Sequence, residues 1–419
     1  MKDTGKPLGI GTRLAQLGRT SEAHYGFINT PVYRGSTVLY KTLDDLQNQR
    51  ARYTYGTAGT PTVESLESAW TALSGAAGTA LAPSGLGAVA LALLTALNGG
   101  DHLLVPDSVY LPTRLLCANL LERFGIETTY YDPLLGAGLE ALIRPNTSTV
   151  FLESPGSQSF EVQDVPSITA LARRRGLTTI LDNTWATPLY FPAHEHGCDL
   201  VVEAGTKYLS GHADILLGLV SAAERLWPAL RRTYQSLAMV PGAEDCYLAL
   251  RGMRTLHIRL KEAETRGLQM AGWLRAQPEV MTVLHPAFPT CPGHEFWARD
   301  FKGSTGVFSI ILRPGFTRED LARMLDHLGI FGMGYSWGGF ESLIIPFDCS
   351  TYRTATPWNP GGLALRVQIG LEDIDDLKAD LRAGLDRLVS GGRQRSGGAG
   401  SARPSRQTRR GAPPGPGSD

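Results

Sequence analysis

Two polar groups that could work together, Asp182 and Lys207, each follow a short apolar run in the stretch from Thr178 to Asp214. The runs, residues 178–181 (TTIL) and 199–202 (DLVV), have the length and β-branched content of buried strands. Ligands of open α/β sheets bind beyond the carboxyl ends of parallel strands, so the aspartate and lysine are expected at one sheet edge. Partial burial lowers a lysine's pKa and makes its amine a nucleophile toward carbonyls. A carboxylate beside it suits a cofactor whose ring nitrogen must stay protonated, as pyridoxal phosphate requires. The alternative is an Asp182 that caps the turn through Asn183 and Thr184, with Lys207 paired to Glu203.

Asp182-Asn183-Thr184, followed by Thr206-Lys207-Tyr208-Leu209 and Gly211-His212, resembles the signature of the Cys/Met-metabolism pyridoxal-phosphate enzymes, from about Arg13 to about Leu388. The resemblance implies an aspartate-aminotransferase-like fold (fold type I), with a large mostly parallel-sheet domain and a smaller α+β C-terminal domain. It implies Lys207 as the lysine that binds the cofactor and moves protons, and Asp182 as the partner of the pyridinium nitrogen. Tyr110 would stack on the ring and share in proton transfer. Gly85, Leu86 and Thr206 would hold the phosphate, and Tyr55 would reach it from a neighbouring subunit. Thr57 and Ala204 depart from the family's usual arginine and serine, leaving Arg52 as a candidate to compensate. Arg366 would hold the substrate carboxylate with its planar fork, Ser336 would help seat it, and Tyr335 and Trp337 would shape the wall.

Tyr335-Ser336-Trp337-Gly338-Gly339, the Trp185 region, Glu295–Trp297 and Arg299–Phe301 resemble the bacterial β-eliminating subgroup. That likeness implies cleavage of L-cystathionine to homocysteine, pyruvate and ammonia, with cystine and cysteine conjugates as further candidates. Rival readings are γ-lyase or γ-synthase chemistry on the same cofactor, and a pyridoxal-phosphate fold with a binding or regulatory role. From another class, Gly85-x-Gly87-x-x-Ala90 fits a dinucleotide-dependent oxidoreductase, although no acidic residue follows at the expected distance.

The elements that must position these groups follow the same stretches. Residues 79–96 read as strand, tight turn and apolar helix, whose first N–H groups favour phosphate. Thr62 and Ser65 predict a capped helix, residues 100–113 and 148–157 predict strands ending near Tyr110 and Glu153, and residues 251–277 predict one long helix. The expected organisation is an arm (1–58) contacting a neighbouring subunit, a cofactor domain (59–252), a C-terminal domain (253–389), and a disordered Gly/Pro/Ser/Arg-rich tail (390–419).

Forty basic and forty acidic side chains balance, which argues against nucleic acid as partner and for a small amino-acid substrate. Five cysteines without a C-x-x-C pair suit a reducing compartment and no metal, and His194-x-His196 lacks a third ligand. No apolar run is long enough to span a bilayer and the start lacks a signal-peptide core, so the expectation is a cytoplasmic protein. The family implies a homo-oligomer, usually a tetramer.

Overall fold

Val, Ile, Leu and Ala dominate most strand segments, and the inner strands of the large sheet bury their apolar side chains completely or nearly so, whereas the edge strand Glu127–Tyr131 is only partly buried. A computed structural model describes residues 8–396. Its strands are β1 (Gly78–Ala82), β2 (His102–Pro106), β3 (Glu127–Tyr131), β4 (Thr147–Glu153), β5 (Thr178–Asp182), β6 (Leu200–Glu203), β7 (Gly218–Ala222), β8 (Val280–Leu284), β9 (Val307–Leu312), β10 (Leu343–Phe347) and β11 (Ala364–Gln368). The first seven form one sheet in the order β1-β7-β6-β5-β4-β2-β3, and the last four form an antiparallel sheet in the order β10-β11-β9-β8.

In the larger sheet only β7 runs backwards. It is antiparallel to both β6 and β1, so β1 regains the direction of β6 and six strands carry their carboxyl ends to one edge. The expected large mostly parallel sheet with a smaller α+β unit is therefore present. β1 pairs with β7 alone and antiparallel, which is not the parallel β-α-β pairing that the dinucleotide reading of Gly85–Ala90 needs.

Helices cover both faces. The helix Gly85–Ala96 buries Ala88, Val89, Leu91, Ala92 and Leu93 against one face, while the helix Val165–Arg175 buries Ile168, Leu171 and Ala172 on the other. Local chemistry shifts three expected boundaries. Thr60, not Thr62, caps the helix Pro61–Ser74, because Pro61 suits the first helical position and Thr60 is left to accept from Val63 N–H. The predicted long helix (251–277) is present but starts at Leu256 and ends at Arg275, because residues 251–253 close a separate helix, Ala243–Met253. The last helix, Ile374–Ser396, runs past Ser390, where the tail was expected to begin: Leu377, Leu381, Leu385 and Leu388 are buried on the small sheet, and a packed helix adds further turns at little cost. The remainder of the expected tail lies outside the described residues.

Candidate active site

Parallel pairing sets Glu153 beside Asp182, so two carboxylates stand together where β4 and β5 end. Asp182 Oδ1 accepts from Thr184 N–H at 3.0 Å and from Thr184 Oγ1 at 2.5 Å, while Ala204 N–H donates to Thr184 Oγ1 at 2.9 Å. The turn reading of Asp182 is thus correct for one oxygen. The other has no hydrogen-bond partner among the described residues. Burial pushes the Asp182 carboxyl up, while the Thr184 donors and the Lys207 charge pull it down. Glu153, which sequence reasoning did not place in the site, accepts from Tyr110 N–H at 2.8 Å, and burial followed by the Asp182 charge drives its carboxyl well up. Its signal was available: like Asp182, it closes an apolar run.

Glu203 does not pair with Lys207. It is 1 % exposed, neither carboxylate oxygen has a partner among the described residues, and burial, then the Asp182 charge, raises its pKa well above the carboxylate range. The fold therefore favours the protonated acid, whereas the unfolded chain ionises near ~4.3. Stability from this group is present below that pH and is lost as pH rises toward the folded value. Glu203→Gln is expected to stabilise the protein at pH 8, raising Tm about 1 °C for each kcal/mol recovered, and to bring no gain near pH 4, as scanning calorimetry can check.

Lys207 lies four residues beyond β6, in a turn that the small sheet's Tyr335–Gly339 loop covers. Gly338, at φ +82°, brings its backbone so close that a Cβ would sit 3.0 Å from Tyr208 N. Trp337 packs on buried Tyr208, ring centroids 5.5 Å apart, and its own ring lies 5.3 Å from Lys207 Nζ. Lys207 Nζ donates to Ser336 Oγ at 2.7 Å, and Arg366 Nη2 donates to Ser336 O at 2.8 Å. Ser336 holds this bridging position at φ +106°, a conformation side chains rarely adopt. Arg366 reaches it from β11, is 8 % exposed, and has no carboxylate partner among the described residues; burial lowers its pKa to about 10.

Burial, then the Arg366 charge, lowers the Lys207 amine to about 8, and Asp182 opposes the shift. Competitive labelling of the cofactor-free chain with acetic anhydride is expected to give a Lys207 midpoint near 8. Asp182→Asn should move that midpoint down and Arg366→Ala should move it up.

At the same edge, Ser84 caps the helix Gly85–Ala96 through Gly87 N–H at 3.0 Å, and the N–H groups of Gly85 and Leu86 have no partner among the described residues. A Cβ on Gly85 would meet Ala204 Cβ at 2.7 Å, so these small residues keep the backbone open there. Thr206 is less available than expected: its hydroxyl donates to Leu217 O at 3.2 Å and accepts from Leu217 N–H at 3.0 Å. Tyr110 stands at the start of the helix Leu111–Leu116, half-exposed, with its phenol pushed up by burial and by Glu153 and Asp182 while Arg366 pulls it down.

Two expected members stand apart. Tyr335 is 89 % exposed rather than part of a wall, because the loop turns it outward where Ser336 turns in. Tyr55 and Thr57 line a separate cleft of about 340 Å³ with Arg34, whose guanidinium pairs with Glu244. Arg52 is engaged by Glu64 at 2.6 Å. His194 bonds Cys198 O and Ser221 Oγ, and no cluster of three metal-ligating side chains occurs among the described residues. Nor is any helix of the described residues long and apolar enough to cross a membrane.

These residues fit pyridoxal phosphate: unsatisfied helix N–H groups beside small residues for the phosphate, one open carboxylate oxygen on Asp182, and an amine held near neutrality. The model of the Cys/Met metabolism PLP-dependent enzyme family matches residues 11–386. A Saccharomyces cerevisiae protein provisionally named as a cystathionine β-lyase is 57% identical over 331 residues, covering 79% of this chain and 97% of its own. The cystathionine β-lyase of Haemophilus influenzae is 40% identical over 91% of this chain and 98% of its own. Among solved structures, the cystathionine γ-synthase of Xanthomonas oryzae pv. oryzae superposes with a TM-score of 0.84 at 28% identity, covering 92% of this chain and all of that one.

Proposed function

Because the chain belongs to the Cys/Met metabolism PLP-dependent enzyme family, we propose that it is a carbon–sulfur lyase that β-eliminates L-cystathionine to homocysteine, pyruvate and ammonia. The observation that carries the reading is the contact chain Lys207–Ser336–Arg366, which sets a near-neutral amine one residue away from an unpaired, buried guanidinium. An α-amino acid needs both, a base at its α-carbon and a fork for its carboxylate. The names of the relatives at 40% identity and above favour β-elimination over the γ-chemistries.

Pyridoxal phosphate, when bound, supplies an aldehyde that condenses with amines and a pyridinium ring that accepts electrons. Gly85 and Leu86 N–H groups would hold its phosphate, Asp182 its ring nitrogen, Lys207 its aldehyde carbon and Tyr110 its ring face. Arg366 binds the substrate carboxylate, with Ser336 fixing the guanidinium. Lys207 would take the α-proton and return a proton to the departing sulfur. Tyr110, its phenol held protonated, would share in that proton transfer. Trp337 keeps water from the amine on the small-sheet side.

The enzyme acts as a cytoplasmic homo-oligomer, a dimer of active sites assembled to a tetramer. Tyr25, Phe27 and Leu39 are 99, 70 and 87 % exposed on the N-terminal segment, an apolar surface that suits contact with a second copy. The segment also carries Tyr55, which its own chain does not bring to Lys207.

The test is product identification after incubating the holoenzyme with L-cystathionine. Homocysteine with pyruvate supports the reading. Cysteine with 2-oxobutyrate moves the enzyme to γ-elimination, and absence of both overturns the assignment.

A further inference from the structure

Asp107, the first residue beyond β2, is fully buried and carries more hydrogen bonds than any carboxylate of the candidate site. Its Oδ1 accepts from Arg114 Nη1 at 3.0 Å and Nη2 at 2.9 Å. Its Oδ2 accepts from three successive backbone N–H groups, Thr354 at 3.0 Å, Ala355 at 2.8 Å and Thr356 at 2.8 Å, and from Thr356 Oγ1 at 3.2 Å. Those donors lie in the loop between β10 and β11, on the small sheet's side of the molecule. Next to them, Arg353, its side chain 3 % exposed, pairs with Glu161 at 2.8 Å. One short segment of the small sheet's loop is thus fastened to two turns of the large sheet, by its own N–H groups to the buried Asp107–Arg114 pair and by the buried Arg353–Glu161 ion pair.

Those turns have a specific content. Asp107 and Arg114 bracket Tyr110, and Arg114 also donates to Thr354 Oγ1 at 2.9 Å. Glu161 follows the turn after Glu153, the carboxylate that holds Tyr110 N–H, and Ser157 N–H donates to Ser108 O at 2.9 Å, stitching the two turns together. On its other side the fastened loop runs directly into β11, which carries Arg366. A carboxylate that accepts from both an arginine fork and a row of amides is a rigid joint, since each donor fixes a different direction.

We propose that Asp107 and Arg353 are positioning residues that lock the β10–β11 loop to the Tyr110 turn, and so set Tyr110 against Arg366 across the two sheets. They touch neither substrate nor cofactor. The inference rests on the elimination reading above for the meaning of turnover, while the lock itself is read from this chain's own contacts.

Asp107→Asn is the first variant, because the amide keeps the shape but turns a donor toward either the arginine or the loop amides. Its kcat is expected to fall roughly 10- to 100-fold, as small misplacements of reacting groups do, with KM nearly unchanged. Hydrogen exchange at Thr354, Ala355 and Thr356 should quicken in the cofactor-free chain as well. In a Tyr110→Ala background the same substitution should change kcat less than about twofold, because the ring and hydroxyl it positions are already gone. Arg353→Lys should show the same loss and the same non-additivity. If Asp107→Asn does not fold, Thr356→Val, which removes one hydroxyl, should show a smaller effect in the same sense. Multiplying effects of Asp107→Asn and Tyr110→Ala, or loop exchange that quickens with kcat unchanged, would overturn the proposal. Wild-type turnover tests the elimination reading separately, so the two can fail independently.

Discussion

Lys207→Ala is expected to lower pyruvate release from L-cystathionine by about 10⁴-fold or more, since one group would be lost from both covalent and proton-transfer roles. The described residues place no substitute at that point. Ser336 Oγ, the atom that Nζ contacts, is a hydroxyl without a base of its own, and Tyr110 is held protonated. Lys207→Arg should not rescue, because a guanidinium stays charged and cannot serve as the nucleophile. The fold should survive: the amine is held by one hydrogen bond and the Trp337 ring, and burial already disfavours its charge. Borohydride reduction followed by mass spectrometry gives the structural readout, with cofactor mass retained on the Lys207 peptide of the wild type and absent from the variant. Retention of pyruvate release within tenfold would refute the role of Lys207.

Arg366→Ala should act mainly through substrate binding. Losing a charge-assisted fork to a carboxylate corresponds to ~3–4 kcal/mol, or roughly 10²–10³-fold in kcat/KM. Arg366 also donates to Ser336 O, so its removal releases a residue held at φ +106° and loosens the Lys207 contact. Part of the loss should therefore appear in kcat as well as KM. Arg366→Lys should recover only a fraction, since a point charge lacks the planar pair of donors. Thermal stability should hold or rise, because this guanidinium is buried without a carboxylate and its charge is disfavoured by burial. Steady-state kinetics with a melting curve checks both halves; an unchanged KM would remove Arg366 from carboxylate binding.

The sequence alone determined the elements that carry the chemistry. Apolar runs ending at Glu153, Asp182 and Glu203, and the Ser-Gly turn before an apolar helix, depend on local periodicity, and they place Asp182, Gly85, Leu86 and Lys207 at one edge once parallel pairing is assumed. Tertiary structure decided everything that depends on which distant segments meet. Ser336 joins Lys207 across 129 positions of chain, and Asp107 meets Thr354 across 247, separations at which no local pattern exists. It also decided directions within a motif: Tyr335 and Ser336 are neighbours, yet a left-handed backbone turns one to solvent and the other to the amine. Protonation followed the same rule. Asp182, Glu153 and Glu203 are similar acids in the sequence, and only burial and the presence or absence of donors separates an anchored carboxylate from an orphaned one.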